Sequence, residues 1–292
     1  MLNWRTRSLF FALLLILIGN SAFSQNKRIE KAKNPTSVSM KAGAFIDINA
    51  AGYPETNFSV EQLVKDVLIA GGSTCSTANV SNVVVSPNLS VSDLNRSWGY
   101  FNKGTTNFPF AKGIVLTTGY ARRAGNDFQG TLSDHLTTGG DVDLANALGV
   151  PNSQLNDATF IEFDFVPTST EVKFRYIFAS KEYFDNFTCN ISDGFALLLK
   201  KSTDPTYTNL ALLPNGTPVS VTNIIPSSLP CGPKNEAYFG GLNNPQIQTN
   251  FNGRTVPLTA TATVIPGQTY HFKMVLADYQ DRNFDSGVFL EA

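Results

Sequence analysis

The sequence predicts an all-β fold, an antiparallel β-sandwich of jelly-roll-like build with one N-terminal helix (about 59–70) and long loops. Two observations carry most of this. In FIEFDFV the apolar Phe160/Ile161, Phe163 and Phe165 alternate with Glu162 and Asp164. In VKFRYIF, Val172, Phe174, Tyr176 and Phe178 share one face, with Lys173 and Arg175 on the other. Period two with one apolar face is the mark of a half-buried antiparallel strand. A third observation is compositional: stretches of Val, Ile, Thr, Phe and Tyr are joined by Asn, Gly and Pro, and only 15% of residues are charged. Strands with short polar turns have this profile. No repeat of roughly 20–50 residues points to a solenoid or a propeller.

The elements follow in order. Residues 25–57 read as a flexible leader, polar and basic in its first part (QNKRIEKAKNPTSVSMKAG), and the domain is expected over 58–292. In FSVEQLVKDVLIA, Leu63, Val67 and Ile69-Ala70 recur at helical spacing. Ser59 can cap the start with Gln62 three residues on, and Gly71-Gly72 end the helix. Strands are expected at Val80–Val85, Gly113–Thr118, Thr159–Val166, Glu171–Ala179, Gly194–Lys200, Leu210–Leu213, Val219–Ile224, Arg254–Val264, Thr269–Asp278 and Gly287–Glu291. A short helix is expected near Asp141–Leu148 within an otherwise loop-like stretch.

The first residues indicate export. Arg5 and Arg7 form a positive start, Leu9–Ile18 is an unbroken apolar run, and Ala22 and Ser24 place small residues before Gln25. That is the pattern of a signal peptide, 1–24, cleaved near Ser24/Gln25. The run is about half the roughly 20 apolar residues a spanning helix needs, and no later stretch is long and apolar enough, so no membrane span is expected in the mature chain. The chain has 22 basic and 23 acidic residues; without Arg5 and Arg7 the basic count is 20. Such a balance attracts neither nucleic acid nor an anionic membrane surface.

Cys75, Cys189 and Cys231 all follow the signal segment. An oxidising compartment favours a disulfide. Cys189 and Cys231 stand in polar, turn-rich stretches (NFTCNISDG and SLPCGPKN) and are expected to pair, leaving Cys75 over; the alternative is three free thiols.

Several chemistries are excluded for want of residues. His135 and His271 are the two histidines, and no further His or Cys completes a zinc site at recognisable spacing. His271 alternates with apolar residues in TYHFKMVLAD and reads as a satisfied sheet histidine. There is no G-x-S-x-G elbow, P-loop or dinucleotide fingerprint. What remains is a density of oxygen ligands: ASKEY with Asp185, NISDG at 190–194, and ADYQDRNFDSG at 277–287. Calcium takes six to eight such oxygens, although Asx turns produce the same composition, and DYQDRNFDSG does not fit an EF-hand. A second reading makes Glu182 with Asp278 or Asp285 the acid/base pair of a carbohydrate-active enzyme.

Taken together, FAKGIVLTTG (110–119), DATFIEFDFVP (157–167), VKFRYIFASKEY (172–183), SDGFALLL (192–199) and TYHFKMVLADYQDRNFDSGVFLEA (269–292) resemble the choice-of-anchor L domain, and SVEQLVKDVLIAGGSTCSTANV resembles its N-terminal part. This is a module of bacterial surface and secreted proteins, common in Bacteroidetes. The resemblance implies a non-catalytic, extracellular or cell-surface, adhesin-like module whose partner is an unknown extracellular protein or glycan; a purely structural surface protein is the other option. The family's acidic pair before Tyr appears here as Lys181-Glu182, which weakens any cation site that uses both. Glu182, Asp193, Asp278 and Asp285 stand at matching acidic positions and are the expected ligands of a calcium ion. The chain ends at Phe289-Leu290-Glu291-Ala292 inside the last expected strand, with no anchor after it. It therefore reads as a fragment or a shortened relative, with an exposed edge expected at that strand.

Overall fold

The alternating segments pair into two antiparallel sheets. A computed structural model of the chain describes residues 45–71 and 79–292. The expected signal segment, the leader as far as residue 44, and Cys75 lie outside the described residues. In chain order the strands are β1 (Asp47–Ile48), β2 (Asn79–Ser86), β3 (Trp98–Asn102), β4 (Lys112–Thr117), β5 (Leu155–Val166), β6 (Glu171–Ser180) and β7 (Gly194–Lys201). They continue with β8 (Thr208–Asn209), β9 (Phe239–Leu242), β10 (Gly253–Thr255), β11 (Leu258–Thr263), β12 (Tyr270–Tyr279) and β13 (Ser286–Glu291). The first sheet runs β1-β3-β4-β13-β6-β10-β9, with β11 also on β6; the second runs β2-β5-β12-β7-β8.

Period two decides which side chains meet between the sheets. Phe174, Tyr176 and Phe178 of β6 and Val288 and Leu290 of β13 face Ile161, Phe163 and Phe165 of β5, Phe195 and Leu197 of β7, and Phe272, Met274 and Leu276 of β12. Phe174 stacks on Phe272 at 4.2 Å between ring centroids, and Phe195 packs against both Tyr176 and Phe178. This inter-sheet layer is the main core. Burying one such side chain stabilises by about 1.5–3 kcal/mol.

Both outer faces are partly covered as well. Ile46, Ile48, Phe108, Phe110 and Phe251 cover the first sheet over Val115, Ile177 and Phe289. Leu144 and Ala145 of α2 (Val142–Leu148) cover the second over Ala196, Leu198 and Val275. Asp141 caps α2, its carboxylate accepting from Leu144 N at 2.9 Å.

Four expectations need correction. Residues 45–57 of the expected leader belong to the fold: Ile46 and Ile48 are fully buried, and β1 pairs with β3. The helix begins as read, with Ser59 and Gln62 closing a capping box around α1 (Val60–Gln62), but continues as π-helical turns over Leu63–Ile69. Its buried residues are therefore Leu63, Val64, Val67 and Leu68. Leu210–Leu213 and Val219–Ile224 are not strands; a single bridge joins Leu212 to Pro218, and Val221–Asn223 is a 3-10 turn. Ala211, Leu213, Val219, Val221 and Ile224 are buried as loop while Leu212 is exposed, and Pro214, Pro218 and Pro226 interrupt any ladder. The last strand exposes no edge, since β13 lies between β4 and β6. Strand β3 was not expected, because Tyr100 and Phe101 are buried on opposite faces and leave no alternation to read.

Candidate metal centre

At one end of the sandwich the inward-facing positions change from apolar to acidic. On β6 the row Phe174, Tyr176, Phe178 continues to Ser180 and then Glu182; on β13 the row Leu290, Val288 ends at Ser286. On β7 the row Leu199, Leu197, Phe195 is preceded by Asp193; on β12 Phe272, Met274, Leu276 lead to Asp278; on β5 Phe163 and Ile161 are preceded by Thr159 and Asp157. Register brings these ends together: Ser286 pairs with Ser180, Ala277 with Gly194, and Asp278 with Asn156. Glu182, Asp193, Asp278 and Asp285 are 1–2% exposed, and Asp157 is fully buried.

The four expected residues thus share one end of the core. Asp193 N donates to Glu182 Oε2 at 3.1 Å, and Tyr279 N donates to Asp193 Oδ1 at 3.3 Å. Asp134 N donates to Asp285 Oδ1 at 2.9 Å. Gly119 makes room for Asp285: a Cβ there would lie 2.0 Å from Asp285 Oδ2. Beyond these bonds the polar atoms run out of partners. Asp193 Oδ2, both carboxylate oxygens of Asp278, Asp157 Oδ2 and the Ser286 hydroxyl are buried without a hydrogen bond. The Ser286 and Thr118 hydroxyls lie beside Asp193 and Asp278 and ease their charge, but without forming a bond of proper geometry.

Cations serve only the margins. Arg123 pairs with Asp134, and Arg282 Nε stands 3.9 Å from Asp157 Oδ2 with His135 Nδ1 at 3.7 Å. Lys181 is buried, donates Nζ to Asn250 O at 3.1 Å and faces only Asp285. Among the described residues no ion pair reaches Glu182, Asp193 or Asp278. Burial, and after it mutual repulsion, pushes Asp193, Asp278 and Asp285 well above the carboxylate range. Burial also pushes Glu182 up to about 8. As the side chains stand, no group of three or more His, Cys, Asp or Glu among the described residues has the arrangement to hold a metal ion.

Sequence reasoning missed Asp157, Ser286 and Thr118. Asp157 was legible by counting inward from Phe163 and Ile161, had β5 been started at Leu155 rather than Thr159. The enzyme reading fares poorly in this geometry: Glu182, Asp278 and Asp285 are enclosed, whereas a glycoside needs its carboxylates on an open cleft. His271 is satisfied as read, with Nδ1 2.6 Å from Asp164 and Nε2 3.7 Å from Glu162 on the outer face of the second sheet.

Two further features sit at the acidic end. Cys189 and Cys231 form a disulfide with Cα atoms 5.4 Å apart. It ties α3 (Phe187–Asn190), which lies between Glu182 and Asp193, to the loop around Pro230. Phe184, 55% exposed, packs beside Phe187, and Phe187 meets Phe284 edge-on at 4.8 Å.

Fold and site together define a disulfide-tied β-sandwich module whose acidic groups are interior instead of lining a substrate cleft. The family model described as Choice-of-anchor L domain matches residues 49–292, and the chain belongs to that family. No curated protein and no solved structure matches it. Membership points to a cell-surface or secreted module with no catalytic role known for the family. Among the described residues no helix is long and apolar enough to cross a membrane.

Proposed function

We propose that the chain is a non-catalytic, adhesin-like interaction module, exported and displayed outside the cell, which meets an extracellular protein or glycan through the tip formed by Phe184, Phe187 and Phe284. The aromatic cluster, with Phe184 exposed and Phe187 and Phe284 half-buried beside it, is the observation that carries this reading. Water disfavours exposed rings, and an aromatic patch with a polar rim suits recognition. Asp185, Asn186 and Asn283 supply the rim and are all exposed. The backbone supports it too: Phe284 sits at φ 64°, a left-handed conformation that bulky residues avoid, with its N–H donating to Ser133 Oγ at 3.0 Å. The interior acids give no comparable support to a hydrolase.

The test is a panel of immobilised glycans and extracellular-matrix proteins, probed with the purified chain and with Phe184→Ser. The expected result is saturable binding to at least one member, weakened tenfold or more by Phe184→Ser at an unchanged melting temperature. Equal binding by the two proteins would remove the tip from the account. No binding by either would favour a purely structural surface role.

A further inference from the structure

We propose that the acidic end of the core is a divalent-cation site selective for calcium, in which Asp193 and Asp278 bind the ion directly, Glu182 and Asp285 flank them, and the Ser286 and Thr118 hydroxyls complete the oxygen set. The proposal is independent of the partner at the aromatic tip. It stands on two separate observations. Carboxylates from both sheets converge on one buried region by strand register. At its centre, both oxygens of Asp278, Asp193 Oδ2 and Ser286 Oγ are enclosed and have no partner. A buried polar group without a bond is a rare and costly thing in a folded protein. A charge in that position needs a counter-charge; Arg123 and Arg282 are engaged at the periphery, on Asp134 and Asp157, and Lys181 bears on Asp285, not on Asp193 or Asp278.

The chemistry of the set selects the ion. Every candidate ligand is a hard oxygen, with no thiol or imidazole at the centre, which favours calcium or magnesium over zinc and copper. Two carboxylates, two hydroxyls and flanking acids on different strands give many ligands in an irregular shape. Calcium accepts such a shape, while magnesium demands near-ideal octahedral geometry. Because no three carboxylates stand in ligating positions, binding has to draw Asp193 and Asp278 together by side-chain rotation. A cavity of about 230 Å³, lined by Asn190, Ser192, Asp193 and Tyr279 among others, lies beside this end of the core. Residues Asp193 and Asp278 sit at the start of β7 and the end of β12, neighbouring strands of the second sheet. Ser286 and Thr118 belong to the first sheet, so the ion would clamp the two sheets at this end.

The experiment is calorimetric titration of the chelator-stripped full chain with calcium, paired with thermal melting in EDTA and in calcium. The expected result is one calcium per chain. At calcium one hundred times Kd, the melting temperature should rise by roughly 5–10 °C. Asp278→Asn should abolish the calcium rise and, in EDTA, melt above the unmutated chain, because the amide removes an uncompensated acid. Asp204→Asn, an exposed acid elsewhere, should keep the rise. If Asp278→Asn fails to fold, Asp193→Asn and the titration of the unmutated chain still decide. No heat of binding together with equal melting in EDTA and calcium would overturn the site, and a larger shift with magnesium would overturn the choice of ion.

Discussion

His271 and Asp278 lie on opposite faces of strand β12, and their surroundings treat them oppositely. His271 faces outward between Glu162, an ionic neighbour at 3.7 Å, and Asp164, its hydrogen-bond partner at 2.6 Å, and the two carboxylates raise its proton affinity against the opposing effect of burial. The nearby His271 in turn lowers Glu162, while Asp164, despite its burial, is held low by bonds from Asn82 and His271. Because the folded value of His271 is raised, its contribution is complete below the unfolded value of about 6.5 and is lost as pH climbs through the folded value. The lowered carboxylates contribute above about pH 4 and lose their share as pH falls. The trio therefore stabilises most in a window around pH 5–6. His271→Gln should lower the melting temperature most in that window and least near pH 9. A gap that is constant, or wider at pH 9, would contradict the assignment. Asp278, facing inward on the same strand, has no such partner among the described residues, and that asymmetry is what singles it out.

At the scale of elements, local signals and packing divide the work. The Ser59 hydroxyl accepts from Gln62 N at 3.2 Å, and the Gln62 side chain accepts from Ser59 N at 2.9 Å. Ser59→Ala should cost about 1 kcal/mol in a urea melt; a loss under a few tenths would show that the π-helical turns, not the cap, hold this segment. The capping box and the alternating strands were legible because each is written within a few adjacent residues. The loops over 210–224 were misread because hydrophobicity records burial, not pairing. Strand β3 was invisible for the complementary reason, being covered on both faces by segments distant in sequence. The acid cluster fell between these cases. Glu182, Asp193, Asp278 and Asp285 could be named from local composition and family resemblance. That they would be buried, and joined by Asp157 and Ser286, depends on the register of several strands, which no local pattern contains.

At the scale of the whole molecule, the acidic end is where cross-links gather. The Cys189–Cys231 disulfide closes a loop of 42 residues' separation, worth roughly 3–4 kcal/mol in the chain-entropy account. The double variant Cys189→Ser/Cys231→Ser should melt well below the unmutated chain and bind calcium more weakly, since the segment from Glu182 to Asp193 loses its tether. Unchanged calcium affinity would show that strand register alone positions the carboxylates. The aromatic tip lies on the connections 181–193 and 280–285, which also carry Glu182, Cys189, Asp193 and Asp285, so an ion that fixes those connections also fixes the surface offered to a partner. The most direct test is an anomalous difference map from crystals of the chain grown in calcium. The account predicts one peak between the sheets, about 2.3–2.6 Å from oxygens of Asp193 and Asp278. A clear map with no peak there, and both carboxylates still without partners, would contradict it.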